Sequence, residues 1–89
     1  MKGARAKIKT LKEIVRIAAH ARARGLRVVT TNGCFDILHV GHVRNLEKAK
    51  SFGNLLIVWV NSDSSTRANK GRGKPIIPER ERAEMIASL

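Results

Sequence analysis

Apolar residues recur at three- and four-residue steps near the start of the chain: Leu11, Ile14, Val15 and Ala18. That spacing lays one stripe along one face of a helix. Thr10-Leu-Lys-Glu13 opens it as a capping box, with Thr10 as N-cap and Glu13 reaching back. Ala and Arg favour helix through Arg24, and Gly25 suits the position just past a helix end. The pattern predicts a helix over 11–24. Leu26 to Thr31 is then a short apolar and β-branched run, the first predicted strand. Helical spacing returns with Val43, Leu46 and Ala49 and predicts a second helix over 41–52, closed by Gly53. Leu55 to Val60 is apolar without alternation, which predicts a strand covered on both faces, as in a parallel sheet. Strand, helix and strand in this order form a βαβ unit, whose crossover should be right-handed. Segment 61–75 is polar and basic and contains Gly71, Gly73 and Pro75, so it reads as a loop. Pro78 suits the first turn of a third helix, with Glu79 and Glu81 near its positive end and Ala83, Ile86 and Leu89 on one face. Residues 1–9 read as a basic, flexible arm and residues 10–89 as one unit, with no internal repeat and no linker.

Composition narrows the function classes. A 43% hydrophobic content suits a globular chain. No apolar run approaches the ~20 residues of a membrane span. The basic N-terminus lacks a following apolar segment, so it does not read as a secretory signal. A single cysteine, Cys34, excludes an internal disulfide framework, and a cytoplasmic location is the default expectation. The net charge of +11 is large for 89 residues. Nine Lys or Arg residues precede Val28 against one acid, Glu13, and read as a solvated surface. A second cluster, Arg67, Lys70, Arg72, Lys74, Arg80 and Arg82, has a plainer use beside the segment described next.

Residues 30–42 carry the chemistry: Thr-Thr-Asn-Gly-Cys-Phe-Asp-Ile-Leu-His-Val-Gly-His. They form a strand-to-helix turn. His39 and His42 lie three apart where the helix begins, and residues at that spacing share a face. Free backbone N–H groups and the positive end of the helix dipole favour an anion there. Gly33 leaves the turn bare, so that a ligand can approach the backbone. A phosphate satisfies all of these. Other readings are weaker. Cys34, His39 and His42 could begin a zinc site, but neither a second cysteine nor a carboxylate pair completes the set. Nothing marks Cys34 as an activated thiol. Cys34, Phe35, Ile37 and Leu38 could simply pack the turn, and Asp36 could be a structural turn residue. Asn61 and Asp63 lie at the carboxyl end of the second strand, where α/β sheets bind ligands; a plain polar strand end is the alternative. His20 has no partner at ligand spacing and reads as a surface residue.

The whole string resembles the signature of the nucleotidyltransferase superfamily, a Gly-x-Phe-Asp turn followed by His-x-Gly-His. Here these are Gly33-Cys34-Phe35-Asp36 and His39-Val40-Gly41-His42. Thr31 to His42 looks most like the adenylyltransferases that activate heptose 1-phosphate, and glycerol-3-phosphate cytidylyltransferases come next. Val60-Asn-Ser-Asp63, Ser65-Thr66, Lys70-Gly71, Pro75, Pro78 and Arg82 follow in the order and spacing of that family, so the resemblance covers about residues 8–89. It implies an α/β, Rossmann-like, three-layer nucleotidyltransferase fold, of which this is the N-terminal half. It implies an enzyme in which a sugar phosphate attacks the α-phosphorus of ATP and pyrophosphate leaves. His39, His42, Lys70 and Arg82 would be catalytic. Thr31, Asn32, Gly33, Cys34, Phe35, Asp36, Gly41, Asn61 and Asp63 would bind nucleotide and phosphate. No metal ligand is expected from the protein; Mg²⁺ would be held mainly by the phosphates of ATP. Lys70 and Arg82, in or beside the polar loop, are expected to serve phosphate and not folding. Half a site should turn over poorly by itself. A second copy or the complementing C-terminal half is the expected protein partner, because each predicted strand has an unpaired edge. The competing class is a non-catalytic basic module for nucleotide or nucleic acid. Trp59 sits in a strand predicted to be buried, and no basic–aromatic interleaving offers a stacking platform, which disfavours nucleic acid.

Overall fold

Thr10 starts the first helix through the reciprocal bonds its sequence context allows. In the computed structural model, which describes residues 3–89, Thr10 Oγ1 accepts from the Glu13 N–H at 3.2 Å. Glu13 Oε1 accepts from the Thr10 N–H at 2.9 Å. These bonds hold the Glu13 carboxyl below its usual range. Helix α1 runs Leu11–Ala23. Gly25, at φ +78°, turns the chain out of it. The Leu26 N–H still bonds back to Ala21 O at 3.0 Å, so the first strand begins later than the hydropathy pattern indicates.

Strand β1 is Val28–Gly33, helix α2 is Val40–Ser51 and strand β2 is Leu55–Val60. The two strands pair in parallel, from Val28 against Leu55 to Gly33 against Val60. Both strands therefore end on the same level, at the turn that carries the histidines. At the opposite end, Arg27 O accepts from the Asn54 N–H at 2.9 Å, and the Arg27 N–H donates to Asn54 Oδ1 at 2.8 Å. Gly53 fits against this clasp with no room to spare: a Cβ there would lie 2.7 Å from Val29 Cγ2 and 2.8 Å from Arg27 O. Gly53→Ala should therefore cost about 1–3 kcal/mol, the usual scale for overpacking. In thermal unfolding the midpoint should fall by roughly 4–8 °C per kcal/mol. An unshifted midpoint would show that the strand starts yield freely.

Segment 61–75 is not all loop. Helix α3 occupies Asp63–Lys70, with Ser62 Oγ accepting from the Ser65 N–H at 3.1 Å as its N-cap. The helix expected after Pro78 is α4, Glu79–Ala87. The expected flexible arm also contains structure: Ala4–Lys7 form a single 3₁₀ turn beside α4. Arg5 Nε meets Glu84 Oε1 at 2.7 Å, and Lys7 Nζ donates to Leu89 O at 3.0 Å. Residues 1 and 2 of that arm lie outside the described residues. The Arg5 side chain is 85% exposed, so this pair holds the arm only weakly.

The core is small: among the described residues Ala18, Ala21, Phe35, Ile57 and Ile86 are the buried apolar ones. The α1 stripe is only partly covered. Ile14 is half-buried, but Leu11 and Val15 remain exposed. Two strands make too narrow a floor for the whole stripe. For the same reason β2 is less covered than expected: only Ile57 is buried, Trp59 on the same face is 42% exposed, and the other four residues are half-buried. Each strand keeps one free edge among the described residues. No helix among them is long and apolar enough to cross a membrane.

Candidate functional site

The site is built by the turn between β1 and α2. Phe35 adopts φ +53°, a left-handed conformation uncommon for an aromatic residue. Its ring folds back over the end of β1 and is 8% exposed. A Cβ at Gly33 would lie 2.8 Å from Phe35 Cζ. Gly33 is thus bare to admit the Phe35 ring, a steric reason that the sequence does not reveal, and it also borders the cavity described below. The ring in turn stands edge-on to His42, with centroids 5.4 Å apart.

The two histidines hold each other through the backbone. His39 is the N-cap of α2, and its Nδ1 accepts from the Gly41 N–H at 3.0 Å. His42 Nδ1 accepts from the His39 N–H at 3.2 Å. A Cβ at Gly41 would come within 2.7 Å of His39 Cε1, so the His-x-Gly-His spacing has a steric reason. The rings stack at 3.9 Å with 29° between planes. With both Nδ1 atoms used as acceptors, each neutral ring carries its proton on Nε2. The turn therefore offers a pair of neighbouring imidazole N–H donors.

Burial, then His39 and then Lys70 hold His42 below the ordinary imidazole value of 6.5. A group whose folded pKa is depressed stabilises the fold above its unfolded value and loses that contribution as pH falls through the folded value. His42 should therefore be less protonated than a free imidazole at the same pH, and folding should weaken on its account as pH drops through its lowered pKa. The ¹H–¹³C shift of its ring across a pH series reads this directly. A midpoint above 6.5 would contradict the packing described.

A cavity of about 420 Å³ opens above the turn. Thr31, Asn32 and Gly33 line it from β1, and Cys34, Phe35 and Asp36 from the turn. His39 and His42 line it from α2, and Lys70 closes it from the end of α3. Lys70 reaches this place because α3 exists and stops there, at Gly71 with φ +90°. Ile37, Asn45 and Leu46 also line the cavity and were missed from sequence. Asn45 and Leu46 lie three and four residues beyond His42, so helical spacing alone was the available signal.

Gly41, Asn61, Asp63 and Arg82 do not line the cavity. Gly41 acts on it through His39. Arg82 is the main departure from expectation: it is 0% exposed, and all three guanidinium nitrogens are spent on protein. Nη1 donates to Cys34 O at 2.6 Å and to Asn61 O at 2.8 Å. Nη2 meets Asp63 Oδ1 at 2.7 Å, and Nε donates to Ile77 O at 2.8 Å. Arg82 is a structural tie in this arrangement, not a side chain aimed at phosphate. Asp63 Oδ1 also accepts from the Glu79 N–H at 2.8 Å, and Glu79 Oε1 accepts from the Asp63 N–H at 3.1 Å. Asp36 borders the cavity, but its carboxylate accepts from the Ile76 and Ile77 N–H groups at 2.8–2.9 Å. Those bonds hold it below the usual carboxylate range. Cys34 Sγ lies 3.4 Å from the buried Thr66 Oγ1. Among the described residues, no three His, Cys, Asp or Glu side chains gather as a metal site.

Residues 30–89 match the family model described as cytidylyltransferase-like. The chain belongs to the cytidylyltransferase-like family. The matched stretch runs from β1 to the end of α4 and so contains every cavity-lining residue named above. The helix, strand, histidine turn, helix and parallel strand are consistent with a Rossmann-like fragment of this α/β family. Over 84 residues the chain is 54% identical to the bifunctional protein HldE of Geobacter sulfurreducens, covering 94% of this chain and 17% of that protein. It is 48% identical over 86 residues to HldE of Koribacter versatilis, covering 97% and 18%, and 54% identical over 82 residues to that of Nitratiruptor sp., covering 92% and 18%. This cytidylyltransferase-like chain thus spans about a sixth of the length of the curated relatives it matches.

Proposed function

We propose that this chain supplies the phosphate-binding part of a nucleotidyltransferase that moves the adenylyl group of ATP to a sugar 1-phosphate, with heptose 1-phosphate as acceptor. An oxygen of the acceptor phosphate bonds to the α-phosphorus, the α–β bridging P–O bond breaks, and pyrophosphate leaves with the electron pair. The observation that carries this reading is the paired Nε2–H donors of His39 and His42 on a cavity whose other side is Lys70. Phosphoryl chemistry of this kind needs positioning and charge stabilisation more than a nucleophilic side chain. Neutral, backbone-fixed imidazoles can donate to the charge developing on the leaving phosphates without reorganising. Lys70 adds a mobile positive charge to the same oxygens. The turn's one carboxylate, Asp36, is committed to Ile76 and Ile77. Magnesium accordingly enters with ATP, on the phosphate oxygens, as part of the substrate.

The choice of ATP and of heptose 1-phosphate rests on the likeness of the string from Thr31 to His42 to that branch of the superfamily. It is tested by placing this sequence in the matching 84-residue stretch of the Geobacter sulfurreducens HldE relative and measuring pyrophosphate release. ATP or CTP would be paired with heptose 1-phosphate or glycerol 3-phosphate. Release with ATP and heptose 1-phosphate alone is expected. Release with CTP and glycerol 3-phosphate would move the chain to the cytidylyltransferase branch. No release in any pairing, with steeply salt-dependent DNA or RNA binding by the 89-residue chain, would favour a basic binding module.

A further inference from the structure

We infer that Arg82 is a positioning residue that sets the His39–His42 turn against the Lys70 helix, and that the nucleotide site exists only while its guanidinium is seated. The inference rests on the nucleotide-binding reading above and goes beyond it by placing a control point outside the cavity. Cys34 directly follows the last residue of β1, and Asn61 directly follows the last residue of β2. One nitrogen, Nη1, bridges the carbonyls of both, so it fixes the two strand ends at the level of the site. Nη2 holds Asp63, the first residue of α3, and Lys70 is the last residue of that same helix. Nε holds Ile77 O, while Asp36 of the histidine turn grips the Ile76 and Ile77 N–H groups. The turn and the segment before α4 are therefore tied twice, by Arg82 from one side and Asp36 from the other.

A guanidinium suits this task because it is planar and presents its donors in a fixed fork. Lysine has three donors on one atom and cannot reach acceptors that lie on different sides of the group. Carbonyl oxygens left without Arg82 would be partly buried acceptors without partners and would move to find water. The first to move are Cys34 O and Asn61 O. The former is one residue from Phe35, whose ring abuts His42, so displacement there reaches the imidazole pair directly. Arg82 itself is fully buried and does not line the cavity, so it acts through these neighbours.

The experiment compares the full 89-residue chain with its Arg82→Lys, Asp63→Asn and Lys70→Ala variants, at a temperature where circular dichroism shows them folded. The readouts are the ligand-free ¹H–¹³C ring resonances of His39 and His42 and the affinity for ATP with Mg²⁺. In Arg82→Lys and Asp63→Asn the ring resonances should move without ligand, and ATP affinity should fall roughly tenfold or more, the scale of one charge-assisted hydrogen bond. In Lys70→Ala affinity should fall with the rings unmoved, all spectra being taken well above the imidazole titration range because Lys70 also lowers the His42 pKa. Rings at their wild-type positions in Arg82→Lys overturn the inference: with affinity kept, Arg82 serves folding alone, and with affinity lost, it touches phosphate directly. Moved rings with unchanged affinity also overturn it. If Arg82→Lys does not fold, Asp63→Asn decides by the same readings, and failure of both to fold counts against a positioning role. Absence of ATP binding by the wild-type chain is failure of the nucleotide reading and is seen separately, because the ligand-free resonances still report whether Arg82 sets the turn.

Discussion

Replacing Arg82 by methionine should remove most of the stability of this chain. Methionine keeps much of the length and apolar volume of the side chain and deletes only the guanidinium. Four bonds go with it, to Cys34 O, Asn61 O, Ile77 O and Asp63 Oδ1. Asp63 is two-thirds buried on the side-chain scale and loses its ion-pair partner, keeping only the Glu79 N–H on that oxygen. Breaking one half of a buried pair costs about 3–5 kcal/mol, because the other half stays behind uncompensated. Small domains are stable by only about 5–15 kcal/mol in total, and this core contains five buried apolar residues among the described ones. The denaturation midpoint in urea should therefore fall sharply, with the slope of the transition unchanged. Lys70→Ala should leave the midpoint nearly where it was, because Lys70 is exposed and its ammonium has no hydrogen-bond partner among the described residues. Equal, small shifts for the two variants would return Arg82 to the phosphate-binding role that its sequence position implies.

That contrast shows where local pattern stops being informative. The histidine turn was readable because its geometry is local: His39 and His42 lie three apart at a helix start, and the bonds that fix them run only between residues 39 and 42. The capping box at Thr10 and Glu13 was readable for the same reason. Arg82 was not, because its acceptors lie 5 to 48 residues away along the chain and three of them are carbonyls, which no side-chain pattern records. Helix α3 was missed because Asp63–Lys70 buries only Thr66 and so leaves no apolar stripe. Its end signals were present, with Ser62 before it, Asp63 in its first turn, Lys70 in its last and Gly71 after it, but the glycines and Pro75 outweighed them. The exposure of Leu11 and Val15 follows from sheet width, a property of how many strands assemble and not of the helix itself.

Loss of either histidine should act on the transition state more than on nucleotide affinity. The rings already hold their donors in place: Nδ1 of each is occupied by a backbone N–H, and the pair is stacked at 3.9 Å. Donors fixed in this way contribute most where charge grows, on the oxygens of the breaking bond, and removal of one such donor typically costs about 10²–10³ in kcat. The ground-state triphosphate keeps Lys70 and its magnesium, so KM for ATP should change much less. The substitution must separate chemistry from folding, since His39 also caps α2. Alanine at a cap position costs about 1 kcal/mol, whereas asparagine is a good N-cap. His39→Asn should therefore keep the thermal midpoint while losing the Nε2–H donor, and His42→Ala should lose the other donor while leaving the His39 bond to Gly41 in place. Both are measured in the chimera with the Geobacter sulfurreducens relative, where turnover can be followed by pyrophosphate release. Each variant should lose roughly 10²-fold or more in kcat, and the double variant should lose less than the product of the two, because residues that act as a unit are not additive. A near-normal kcat in the double variant, with the fold intact, would show that the stacked imidazoles do not meet the reacting phosphates at all.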